Sequence, residues 1–230
     1  MPAILSSLQV QPVSPRQTDR PKRHPRYYMQ QGNVVIRVQN SLFKLDLSVL
    51  HEKSPVLRII TPPVYAGKMR LQGFDDEHPF VLHDVLEVDF VRLLRVLYPS
   101  NSRPFTAAKV DDWLSVLKLA SVYQIDDVRE LAVARLDASQ IDPIRKIAIW
   151  EKYRLNPTLL IPSYVALCQR AEPLTIAMTM AIGLKNFTKL AAAREVYHER
   201  VGVGCCNRFT ADKRQSVAEE IIIQAFLERK

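Results

Sequence analysis

Apolar residues keep two periods along the chain, and the switches between them mark the elements. Val34, Ile36 and Val38 alternate with other positions, the period of a strand with one buried face. Leu42 to Leu45 is a second short apolar run, joined to the first by Gln39-Asn40-Ser41. Asn40 tolerates the left-handed backbone of a tight hairpin, so it is expected to carry the turn. Arg26 to Met29 is expected to add a strand edge ahead of this hairpin. The period then lengthens. Leu47 and Leu50 predict a short helix, and Ser54-Pro55 predicts another directly after it. Ser54 suits an N-cap, and Pro55 suits the first helical position, where no amide donor is needed.

Thr61 to Pro79 holds three prolines, two glycines and an acidic triplet and reads as a loop. Pro79 to Val85 predicts a strand with Phe80 and Leu82 on one side. Phe90, Leu93, Leu94 and Leu97 recur at helical spacing over 88–97, with Arg92 and Arg95 on the other side. The next helix, over 107–122, carries Trp113, Leu117 and Ala120 as its inner stripe. Asp126 is expected to cap the helix after it, which turns Val128, Leu131 and Ala132 inward and Arg129 and Glu130 to water. From residue 141 the pattern is helix after helix. Asp142-Pro143 and Asn156-Pro157 repeat the cap-then-proline device, and Glu172-Pro173 marks a third break. Gly183 interrupts the stretch from Leu174 to Arg200, and Thr210 caps a last helix with Val217, Ile221, Ile222 and Ala225 along one side. The pattern predicts an α+β fold with an all-α C-terminal region.

Charge alters this picture little. The formal net charge is +8. Residues 1–31 hold five basic and one acidic residue, a balance of +4. Residues 32–140 hold thirteen and fourteen, a balance of −1, and residues 141–230 hold fourteen and nine, a balance of +5. The excess is scattered rather than gathered into the stripe that a nucleic-acid footprint needs, so nucleic acid is not the expected partner. A basic regulator associated with nucleic acid remains the alternative class, because both ends carry the excess. Residues 1–25, rich in Pro, Ser, Gln and Arg, are expected to form a disordered tail. The longest apolar run, Leu174 to Leu184, is too short to span a bilayer and includes two threonines. With no basic leader or long apolar centre in MPAILSSLQVQPV, a cytoplasmic or nuclear location is expected.

Candidate chemistry is sparse. Cys168 lies among Val165, Ala166 and Leu167 in a helical pattern and reads as a small core residue. Cys205 and Cys206 lack the C-x-x-C spacing of a zinc site, and three cysteines without a secretory signal read as reduced thiols. Phosphate-binding loops, zinc-protease motifs and nucleophile elbows are not found. Asp111-Asp112 and Asp126-Asp127 stand at helix starts, where negative charge offsets the helix dipole, and Asp75-Asp76 falls in a loop. No enzyme, cofactor or metal is expected, which leaves surfaces.

The unit from Asn33 onward resembles the start of a BTB/POZ domain. Asn33 stands where that family usually has Asp. Phe43-Lys44 matches its F-K pair, Val49-Leu50 its V-L, and Ser54-Pro55 with Leu57 its S-P-x-F. Asp46 departs from the pattern, which commonly has His there. His83-Asp84-Val85, Leu97-Tyr98, Leu119-Ala120 and Tyr123-Gln124-Ile125-Asp126 follow in the family's order, so the resemblance covers about residues 26–138. With His24-Pro25-Arg26-Tyr27-Tyr28 ahead of Gly32, the chain looks most like BTB proteins of mushroom-forming fungi. In those proteins a helical region follows. Tyr164 to Cys168 resembles a recurring Y-x-A-L-C there, and Cys205 with Cys206 falls where a cysteine-bearing loop is usual.

The resemblance implies a small sheet covered by helices over 26–140, followed by a helical region over 141–230. It implies a non-catalytic protein-interaction module that commonly forms homodimers or assembles adaptors. Its dimer contacts would come from the first helix and the N-terminal extension: Leu47, Val49, Leu50, Tyr27, Tyr28 and Met29. Leucines at such positions equally well fill a core. Some family members recruit the cullin scaffold of a ubiquitin ligase through a hydrophobic-x-acid motif, and Phe74-Asp75-Asp76 has that form. A solvated acidic turn has it too.

Overall fold

The computed structural model describes residues 20–61, 73–99, 109–202 and 209–227. Among these are four strands and ten α-helices, a mixed α+β architecture with a small open sheet. By proximity along the backbone the chain makes two compact units, 1–107 with 118–128, and 108–117 with 129–230.

The first unit is built on the expected hairpin. β2 (Val34–Val38) and β3 (Ser41–Leu45) pair antiparallel, with Val38 opposite Ser41, so the turn is the two residues Gln39-Asn40. The left-handed residue is Gln39, at φ 53°, and not Asn40. β4 (Phe80–Leu82) lies parallel to β2, and β1 (Lys22–Tyr28) lies parallel to β3, giving the order β1-β3-β2-β4. β1 is longer than expected and begins inside the stretch assigned to the tail. Two contacts hold its basic sequence in place: the Lys22 amide donates to the Asn40 carbonyl at 2.8 Å, and the His24 ring stacks on Phe43 with centroids 4.9 Å apart. Residues 1–19 of the expected tail lie outside the described residues.

α1 (Leu47–Lys53) and α2 (Pro55–Ile60) follow the hairpin as the capping signals require. The Ser54 hydroxyl accepts from the Leu57 amide at 2.9 Å and donates to the Tyr123 carbonyl at 2.5 Å. One buried side chain thus starts α2 and ties it to a segment 69 residues away. α3 (Glu87–Leu97) buries Phe90, Leu93 and Leu94, and Phe90 meets Phe43 edge-on at 5.0 Å. Asp89, on the same helix, is also buried, which its charge would not suggest. Arg92 at 3.4 Å and Lys118 at 3.3 Å offset the cost of taking its carboxylate out of water.

α4 (Val110–Val122) buries Trp113, Leu117 and Ala120 as expected, and Val116 and Leu119 besides. α5 (Asp126–Asp137) departs from expectation twice. Asp127, rather than Asp126, is the carboxylate that accepts a first-turn amide, from Val128 at 2.8 Å, and it also pairs with Lys53 at 2.7 Å. Leu131, expected inside, is 38% exposed, while Leu136 is fully buried.

The second unit is helical. α6 (Pro143–Tyr153) starts at Asp142, whose carboxylate accepts from the Ile144 and Arg145 amides. A 3₁₀ turn starting at Pro157 and capped by Asn156 leads into α7 (Ile161–Gln169). α8 (Ile176–Ile182) ends at Gly183, whose φ of 79° is open to glycine, and α9 (Leu184–Val201) begins at once. Thr210 caps α10 (Ala211–Phe226). Tyr164 of α7 stacks on Phe226 at 3.9 Å, and the Arg194 guanidinium donates to the Leu167 carbonyl. Cys168 is buried here, and burial pushes its thiol pKa up to about 11, so it is an inert core residue. Cys205 and Cys206 lie outside the described residues.

Candidate protein-interaction surface

The junction of hairpin and first helix is set by two side chains. Asn33 accepts from the Leu47 amide at 2.7 Å, and Asp46 accepts from the Ser48 amide at 2.9 Å, so together they cap α1. The Asp46 carbonyl in turn accepts from the Tyr98 hydroxyl at 3.0 Å, which ties the end of α3 to this corner. Burial, and then the Asp46 charge, raise the Tyr98 phenol well above its ordinary value, so it stays a donor. Gly32 lies against β3: a Cβ there would stand 2.7 Å from the Lys44 carbonyl carbon, so no larger residue fits without parting the backbones. Around this corner is an open cavity of about 500 Å³ lined by Met29, Gln30, Gln31, Gly32, Asp46, Val49 and Tyr98.

A second feature adjoins it at the end of β1. Asp76 accepts from the Tyr28 hydroxyl at 2.6 Å and from Arg23 Nε at 2.7 Å, while the Arg23 guanidinium lies 4.6 Å from the Tyr28 ring centroid. This three-residue clasp fastens the turn before β4 to the strand at the opposite sheet edge. Asp75 shapes the turn itself by accepting from the His78 amide at 2.7 Å, the main cause of its lowered pKa. Phe74 stands out of the turn, 57% exposed.

The eight expected interface residues therefore divide. Tyr27, Leu47 and Leu50 fill the core of their own unit, each 3% exposed or less, and offer no docking area. Tyr28, Met29, Val49, Phe74 and Asp76 remain accessible. Met29 and Val49 line the cavity, while Tyr28, through its bond to Asp76, holds the turn that carries Phe74. The helical spacing of Leu47 and Leu50 is the signal that separated them, since it turns both toward the core while Val49 points away. Sequence reading missed Tyr98 and Arg23, because their partners lie 52 and 53 residues away.

Other candidates resolve into structure. Arg145 bonds Asp111, and Asp112 accepts from the Lys109 amide at 3.1 Å. His51 bonds Thr61, and His78 bonds Asp75. Among the described residues no group of three or more His, Cys, Asp or Glu could hold a metal ion, and no helix is long and apolar enough to cross a membrane. No family model matches the chain, and no curated protein matches it.

Proposed function

We propose that this chain is a non-catalytic protein-interaction module of BTB/POZ type, acting in homodimerisation or adaptor assembly in the cytoplasm or nucleus. The observation that carries the reading is the pair of accessible apolar positions in the first unit, Val49 with Met29 at the cavity and Phe74 on the turn that Tyr28 holds. Its apolar tips stand on polar ties that fix their positions in advance, which lowers the entropy cost of docking another polypeptide. The element order supports it too: hairpin, short helix, serine-capped helix, strand and amphipathic helix follow one another as in the family that the sequence resembles.

The test is affinity purification of the full chain from its source cells, with partners identified by mass spectrometry, against a Val49→Asp/Phe74→Ala variant. Loss of the same partners from the variant is the expected result. An unchanged partner set would overturn the reading. A cullin scaffold is one candidate among those partners, with Phe74 as its contact. Asp76 already accepts from Arg23 and Tyr28, so Phe74→Ala is the substitution expected to reduce cullin capture.

A further inference from the structure

We propose that the cavity at the corner between β3 and α1 takes an arginine side chain from the docking polypeptide, with the Asp46 carboxylate as its counter-charge. The inference rests on the interaction-module reading and names the chemistry of the partner at that same site. Among the described residues that line the cavity, Asp46 is the only charged one, and no lysine or arginine shares the wall to neutralise it. Its Oδ1 is already taken, accepting from the Ser48 amide at 2.9 Å and the Ser48 hydroxyl at 2.7 Å. Those bonds leave Oδ2 for another donor. The Tyr98 hydroxyl, donating to the Asp46 carbonyl at 3.0 Å, holds this residue in place before a partner arrives.

The rest of the wall suits the rest of an arginine. Met29 and Val49, both half-buried, offer apolar area for its methylene stem. Gln30 and Gln31 are exposed, and their side-chain carbonyls can accept the guanidinium N–H groups that Asp46 does not take. A guanidinium carries five donors in one plane, against three on a compact ammonium, so arginine answers one carboxylate and two amides more fully than lysine does. Charge selects against the other occupants. An acidic segment would meet Asp46 with no cation between them. A wholly apolar segment would strip water from the carboxylate and leave it unpaired, a cost that contact with Met29 and Val49 does not offset.

The probe is N-acetyl-arginine methylamide, titrated into the full chain and followed by amide chemical shifts. N-acetyl-citrulline methylamide, of the same shape but uncharged, is the control. The arginine probe should shift the Met29, Gln31, Gly32 and Val49 amides with a Kd of about 1–10 mM, as expected of so small a ligand. The citrulline probe should bind about fivefold more weakly. Asp46→Asn removes the charge and keeps the cap, since asparagine caps a helix as well as aspartate does. In that variant both probes should bind alike, at the citrulline level. Equal binding of the two probes to the wild type, or an arginine preference that Asp46→Asn retains, overturns the inference. So does an absence of shifts up to about 50 mM arginine probe. Affinity purification separates this failure from that of the module: Asp46→Asn should lose partners that Val49→Asp/Phe74→Ala loses. If it keeps them all, the arginine site is overturned and the module stands. If both variants keep every partner, the module is overturned with it.

Discussion

Two capping side chains in the first unit, Ser54 and Asn33, reach across the sequence, while those in the second stay at their own helices. Ser54 starts α2 and also holds Tyr123, and Asn33 caps a helix 14 residues further on. Tyr98 and Asp76 close contacts of 52 and 48 residues. In the second unit Asp142, Asn156 and Thr210 bond amides only two or three residues ahead. Contacts across the sequence there join other groups, as where Tyr164 stacks on Phe226 and Arg194 donates to the Leu167 carbonyl. A sheet of short strands buries too little to fix its helices by area alone, and directional bonds supply the missing specificity. Helices that pack along their lengths need less of this.

The difference can be broken in order of size. Phe43→Ala should cost about 3–5 kcal/mol in urea unfolding, because it removes the ring shared by His24 and Phe90 from a fully buried site. Ser54→Ala should cost about 2–3 kcal/mol, since it loses a cap and also leaves the Tyr123 carbonyl without its donor. Asp142→Ala loses only a cap, and about 1 kcal/mol is expected from the same measurement. Equal costs for Ser54→Ala and Asp142→Ala would erase the contrast.

The smallest effect is a pH dependence. His24 Nδ1 accepts the Arg26 and Tyr27 amides at 3.2 and 3.1 Å, so protonating it breaks both bonds. Burial is the first cause that lowers its pKa below the ordinary 6.5. A folded pKa below the unfolded one means that the unfolded chain takes the proton first. The contribution is therefore whole above pH 6.5 and is lost as pH falls through the folded value. Urea midpoints should drop over that window, and His24→Phe should flatten the drop.

How far the sequence disclosed all this follows the same division. Local signals located β2, β3, α1, α2 and the breaks at Pro143, Pro157, Gly183 and Thr210, because periodicity and capping act within one turn. The start of β1 was hidden, since Lys22-Arg23-His24-Pro25 has the composition of a solvated tail. Only the stacking of His24 on Phe43 and the pairing with β3 make it a strand. Buried Asp89 was illegible for a like reason: half of its compensation is Lys118, on another helix. At the candidate surface the hydrophobic-x-acid pattern singled out Phe74 and Asp76, but not that Asp76 is held by Arg23 and Tyr28. Composition named the residues, and distant partners decided what each one does.

The most direct test of the account is native-state hydrogen exchange of the wild type against Ser54→Ala. If the Ser54 bond to Tyr123 unites the first unit, protection should fall by a common increment across β2, β3, α1, α2 and residues 118–123. A loss confined to the Leu57 amide and its own turn would show that Ser54 is a local cap and nothing more, and would contradict the account.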